Sequence, residues 1–172
     1  MDHSTRVRPT PHISAPKLGE YIVAGPGRRE RIVLDQKFVR AGKLAWYSAG
    51  HDAIRRALLL DDVATALSDG RHRIAAKTTA SDYTSTARTL SLTLVDRFMA
   101  LYDSLNIDDC ERQFIGDRTL ALSIATVRVS VRPTVLLATT TAQGIRHGAL
   151  LLVARKEKAM GRESGRSVAL VM

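Results

Sequence analysis

Between Ser81 and Leu105 the apolar residues Tyr83, Ala87, Leu90, Leu94, Phe98, Leu101 and Leu105 recur at spacings of four, three, four, four, three and four. That rhythm returns each of them to one side of an α-helix, so the segment is predicted to be the central helix of the chain, opened by Ser81. A helix with one continuous apolar face needs a broad surface to bury it. Downstream, apolar runs at 120–131, 135–138 and 149–154 read as strands, the first two separated by Arg132-Pro133-Thr134 and the third following Gly148. Together they predict a small meander. The expected fold class is α+β: a mostly helical N-terminal two thirds, then a small antiparallel or mixed C-terminal sheet covered by the long helix.

The first strand run carries an irregularity. Leu120, Leu122 and Ile124 alternate in one phase and Val127, Val129 and Val131 in the other, with Arg128, Ser130 and Arg132 opposite the valines. A phase change near Ala125-Thr126 predicts a bulge, or the end of one strand and the start of the next. If the valine face is buried, the two arginines line the other face together, in a position to touch phosphates.

Residues 1–16, with Pro9, Pro11 and Pro16 and no apolar period, read as a flexible basic tail, and 17–172 as a single α+β domain. A short helix over 17–24 is broken by Gly25-Pro26-Gly27, and a second spans 28–38. Arg28, Arg29 and Arg31 fall in the first turn of that helix, where the helix dipole favours acids, so the local arrangement asks for an anion or for compensation by Glu30. Trp46 and Tyr47 are expected to anchor their loop against the core. Asp52 is expected to cap a helix over 53–60, Asp61-Asp62 to start another through Leu67, and Asp69-Gly70 to turn the chain.

Composition enters through charge. Lys and Arg number 26 against 17 Asp and Glu, a formal +9 with a pI near 10.3, and a basic surface attracts polyanions. The balance is +6 over residues 1–60, −3 over 61–109 and +6 over 110–172, so an acidic helical middle lies between two basic ends. Candidate phosphate contacts are Arg28, Arg29, Arg31, Arg55, Arg56, Arg128, Arg132, Arg155, Lys156 and Lys158. Solubility alone also accounts for a basic composition. Cys110 is the only cysteine, which excludes an internal disulfide and a cysteine-built zinc site and fits a reducing, cytoplasmic location. No apolar run approaches the length that spans a bilayer, so no membrane association is expected.

Two stretches carry a resemblance. The first is Lys17-Leu18-Gly19-Glu20-Tyr21 with Arg28 to Val33 and Asp35 to Phe38. The second is Val129 to Leu137 with Gly148 to Leu152. Together they resemble a group of bacterial proteins without an assigned activity, and the order of a long helix then several strands is similar to the core of the PD-(D/E)XK, or RecB-like, nucleases. In that comparison the metal-binding acid falls at Thr134 and the lysine near Leu150 to Leu152, neither of which supplies the anionic ligand or the proton donor that metal-dependent cleavage needs. The resemblance therefore implies a degenerate nuclease-like core, non-catalytic and without a cofactor, that binds DNA or RNA. Two alternatives remain open. One is a divergent nuclease using Mg²⁺ with acids such as Glu111, Asp117 or Glu157; the other is a protein-interaction module in which the acidic middle and basic ends engage a protein partner.

Overall fold

The computed structural model describes residues 6–39, 46–114, 119–124 and 126–154. The elements in chain order begin with β1 (Arg6–Val7), β2 (His12–Ser14), α1 (Ala15–Val23), α2 (Pro26–Lys37) and β3 (Phe38–Val39). There follow α3 (Ser48–Ala57), α4 (Val63–Ala75), α5 (Asp82–Tyr102) and β4 (Glu111–Gln113). The last four are β5 (Leu120–Ile124), β6 (Val127–Val131), β7 (Val135–Thr141) and β8 (Gly144–Leu150). The fold class is α+β, with the helices preceding the main strands. No helix among the described residues is long and apolar enough to cross a membrane. The described residues form two compact units, one drawn from 6–39 and 119–132, the other from 46–114 and 133–154.

In the first unit the stretch expected as a flexible tail supplies two strands. β1 pairs antiparallel with β3, and β2 lies parallel to β6, which pairs antiparallel with β5 in the order β2-β6-β5. Ile13 explains the difference: it is the apolar residue of a short polar segment, it stands in register with Val129, and both are buried. The amide of Arg128 donates to the Pro11 carbonyl at 2.9 Å and extends the pairing by one rung. Among the described residues of this unit Ile13, Ala15, Ile32, Val129 and Val131 are the buried apolar ones, where α1 and α2 pack on β2 and α1 also on β6. Gly25 precedes α2 and Pro26 opens it, where a missing N–H and a fixed φ cost nothing.

The second unit is a helical trio joined to a sheet of order β4-β7-β8, antiparallel throughout. Ile54 and Leu58 beside α3, Leu67 of α4, and Val95 and Phe98 of α5 share one core with Val135 of β7. The long helix is where its periodicity places it, but its buried face is turned by one residue. Ser91, Val95, Phe98 and Tyr102 are buried, whereas Leu101 is 59% exposed. The cause is a close crossing. A Cβ on Gly50 of α3 would sit 2.7 Å from the Ser91 carbonyl oxygen, so only the absence of a side chain lets α3 approach α5 there.

The same need moves two other expectations. α3 begins at Ser48 and includes Gly50, so Asp52 lies inside the helix, paired with Arg55 at 2.9 Å instead of capping. Asp69-Gly70 is helical, because Gly70 faces α3: a Cβ on it would meet the Ala53 methyl at 3.0 Å. Asp62 does cap α4, accepting from the Thr65 amide at 3.0 Å. The Trp46 ring lies 4.7 Å from that of Tyr83, tilted by 59°, and Tyr83 is exposed, so Trp46 and Tyr47 are half-buried near the start of α5 and do not join the core as expected.

The predicted meander is divided. β5 and β6 form a hairpin through Ile124 and Val127, in keeping with the phase change, but β6 and β7 belong to different sheets in different units. Pro133 stands at the division, where it offers no N–H to continue a ladder.

Candidate nucleic-acid interface

The three arginines at the start of α2 divide between internal contacts and solvent. Arg28 is paired with Glu20, with its Nε donating to that carboxylate at 2.8 Å. Arg29 donates from Nε to the Tyr21 carbonyl at 3.1 Å and from Nη2 to the Ile22 carbonyl at 2.9 Å, and lies over the Tyr21 ring. Those carbonyls belong to the last turn of α1, whose negative dipole end favours a cation. The clash of arginines with the dipole of α2 is thus answered by the C-terminal half of α1, and the anion the sequence asked for is Glu20. Arg31 is exposed with no partner among the described residues.

On the β2-β6-β5 sheet the strand alternation separates two faces. Ile13, Val129 and Val131 point into the core; His12, Ser14, Arg128 and Ser130 point the other way. His12 stands directly beside Arg128 in the parallel register, and Ser14 beside Ser130. Arg132 follows one step past the strand and donates from Nε to the Thr119 hydroxyl at 2.7 Å. Arg8 completes the group. Its Nε and the His12 Nδ1 are buried atoms with no hydrogen-bond partner. Burial pushes the His12 imidazole below its ordinary range, and the positive charges of Arg8, Arg128 and Arg132 push it further. Among the described residues no carboxylate pairs with any of these three guanidinium groups. The sequence singled out Arg128 and Arg132 and left Arg8 and His12 to the solvated basic tail. The available signal was Ile13, a lone apolar residue flanked by polar ones, which is the mark of a short half-buried strand.

In the second unit Arg55 pairs with Asp52 and covers the Phe114 ring at 4.4 Å, while Arg56 is exposed. The candidates therefore do not collect in one unit: Arg28, Arg29, Arg31, Arg128 and Arg132 lie in the first, Arg55 and Arg56 in the second. Arg155, Lys156 and Lys158 lie outside the described residues.

The positions compared with a nuclease core have backbone duties. The Thr134 hydroxyl accepts from the Leu152 amide at 2.9 Å, and the Thr134 amide donates to the Leu150 carbonyl at 2.7 Å. Thr134 closes the β7–β8 end of its sheet through a hydroxyl that an acid would replace with a charge. Glu111 opens β4 and is exposed; Asp117 and Glu157 lie outside the described residues. Among the described residues no group of three or more His, Cys, Asp or Glu is placed to hold a metal ion. Comparison with protein-family models, with curated proteins and with solved structures finds no match for this chain.

Proposed function

We propose that the protein binds DNA or RNA through the phosphate backbone, without cutting it, and that the first unit carries the interaction. The supporting observation is the partition of charge. The described residues of the first unit hold nine Lys and Arg against three Asp and Glu, while those of the second hold nine against ten. Internal pairing reduces the first set: Arg28 and Lys17 are paired with Glu20, and Arg29 caps α1. Among the described residues Arg8, Arg31, Arg128 and Arg132 are paired with no acid, and arginine suits phosphate because its planar fork offers parallel donors. Phosphate contacts of this kind carry no sequence information, so the reading is of weakly selective binding. A cytoplasmic location accords with the single cysteine.

The test is fluorescence anisotropy of labelled duplex and single-stranded oligonucleotides across a salt series. Four phosphate contacts predict that log Kd changes with log salt with a slope of about 3 to 4 on duplex DNA. No binding at low ionic strength would overturn the reading, and Mg²⁺- or Mn²⁺-dependent cleavage would overturn its non-catalytic part.

A protein-interaction role is favoured by a different feature. Ile22 and Val23 of α1 and Val33 and Leu34 of α2 are all between 43% and 53% exposed, a concentration of apolar surface on one helical pair. Co-purification of one stoichiometric protein partner would favour that role over nucleic acid.

A further inference from the structure

We propose that Arg8, His12, Arg128 and Arg132 form a seat for a single phosphate-type oxyanion on the polar face of the β2-β6-β5 sheet. The inference deepens the nucleic-acid reading but stands on different observations, namely the strand register and the unpartnered polar atoms, and it survives if nucleic acid proves not to bind.

The register sets the shape of the site. Arg128 and Arg132 are four residues apart, about 13 Å along an extended chain, and both project from the face opposite Val129 and Val131. Ser130 lies between them on that face, with Ser14 alongside it on β2. Ser130 and Ser14 thus place two hydroxyls between the arginines, whose side chains are long enough for both guanidinium groups to reach one phosphate-sized group seated over that stretch of the sheet. His12 stands beside Arg128 in the adjacent strand. The Thr119 hydroxyl holds the Nε of Arg132, which fixes that side chain while leaving its terminal nitrogens available.

The unsatisfied groups say what the site lacks. Buried polar atoms in folded proteins are almost always hydrogen-bonded, yet Arg8 Nε and His12 Nδ1 have no partner among the described residues. The charges of Arg8, Arg128 and Arg132 all act on the His12 imidazole, and among the described residues no carboxylate pairs with them, so the three guanidinium groups repel one another. A tetrahedral oxyanion answers both defects: its oxygens accept from the arginine forks, from an imidazole N–H and from the serine hydroxyls, and its charge offsets the repulsion. A carboxylate, with two coplanar oxygens, serves fewer of these donors.

The experiment is a titration of the full chain with inorganic phosphate at low ionic strength, with chloride as the control anion, followed by NMR of arginine Nε–H and histidine ring resonances. Saturable shifts at Arg8, Arg132 and His12 are expected, together with a rise in the His12 pKa as the bound charge offsets its arginine neighbours. Arg128→Gln and Arg132→Gln should each weaken phosphate binding by about tenfold or more, with Arg97→Gln, at an exposed position of α5 in the second unit, as an unaffected control. Two variants guard against one failing to fold, which a melting curve reports. Absence of saturable phosphate binding, or binding unchanged in both variants, overturns the seat. Oligonucleotides with and without a 5′-phosphate then distinguish the source: preference for the phosphorylated end supports a terminal monoester as occupant, and equal binding that both variants weaken supports an internal phosphodiester. Phosphate binding without oligonucleotide binding sinks the nucleic-acid reading alone. Oligonucleotide binding indifferent to both variants, with no response to phosphate, sinks the seat alone.

Discussion

Gly50→Ala tests whether the crossing of α3 and α5 governs the second unit. The added methyl would lie 2.7 Å from the Ser91 carbonyl oxygen, 3.1 Å from Ser91 Cα and 3.3 Å from Leu94 Cδ2. Comfortable contacts between carbon atoms begin near 3.5 Å, and the first two neighbours are backbone, so a whole helix must withdraw by roughly half an ångström or more. Overpacking of this kind costs about 1–3 kcal/mol. Replacing glycine by alanine in a helix returns about 0.5–1 kcal/mol, at the low end here because Gly50 is in the first turn. A net loss of about 1–2 kcal/mol is expected. Gly70→Ala is the control: its methyl would meet another methyl, that of Ala53, at 3.0 Å, in mid-helix where the propensity gain is fuller. The two effects there nearly cancel, and a change within about 0.5 kcal/mol is expected. Trp46, the only tryptophan, sits beside the crossing, with its carbonyl accepting from the Ser91 hydroxyl at 3.4 Å, so urea unfolding followed by tryptophan fluorescence reads the affected unit directly. Equal stability of the two variants, or a Gly50→Ala protein more stable than the parent, would refute the assignment of a close crossing.

Ser81→Ala removes a capping box, since the Ser81 hydroxyl accepts from the Thr84 amide at 3.3 Å and the Thr84 hydroxyl accepts from the Ser81 amide at 3.0 Å. A loss of about 1 kcal/mol in the same urea assay is expected. Tyr102→Phe leaves Asp108 without the hydroxyl that donates to it at 2.6 Å and should cost about 1–2 kcal/mol by thermal or urea unfolding. Burial holds His51 below its ordinary range, outweighing the upward pull of Asp52, so the unfolded chain takes up the proton more readily. Its contribution is therefore fully present above about pH 6.5 and is lost as pH falls through the depressed folded value. Unfolding midpoints measured from pH 7.5 to 5 should fall, and His51→Gln should flatten part of that slope.

The helical part of the fold was legible because hydrophobic period is local information, and it failed where the decisive residues were small. The spacing from Ala87 to Leu105 identified α5 but chose a face containing Leu101, because serine and glycine do not count in a hydrophobic pattern. Among the described glycines, Gly50 against Ser91 leaves the least room for a side chain. Asp69-Gly70 read as a turn for a related reason. Glycine in a sequence signals either backbone freedom or the absence of a side chain, and only the neighbour across the interface decides which. The phase change before Val127 was legible because alternation is also local. The separation of β6 from β7 was not, since the sheet a strand joins is decided by partners far away in the chain.

The candidate site shows the same limit in electrostatic form. Counting arginines finds Arg28, Arg29, Arg55, Arg128 and Arg132 alike, yet they differ in whether something already balances them. Glu20, eight residues before Arg28, and the carbonyls of α1 balance the cations of α2, and a helical hairpin brings these groups together over a short stretch of sequence. On the sheet the opposite happens. A parallel pairing lays His12 beside Arg128, residues more than a hundred positions apart in the chain, and thereby adds Arg8 and His12 to two arginines already sharing a face. Short-range pairing tends to neutralise charge because an acid can be selected next to a base; long-range pairing here concentrates it, and among the described residues no acid pairs with it. The arginines that matter most for an anionic partner are therefore those whose charge the fold gathers and leaves unpaired, and their number, not the total of 26 basic residues, sets how steeply binding should fall with salt.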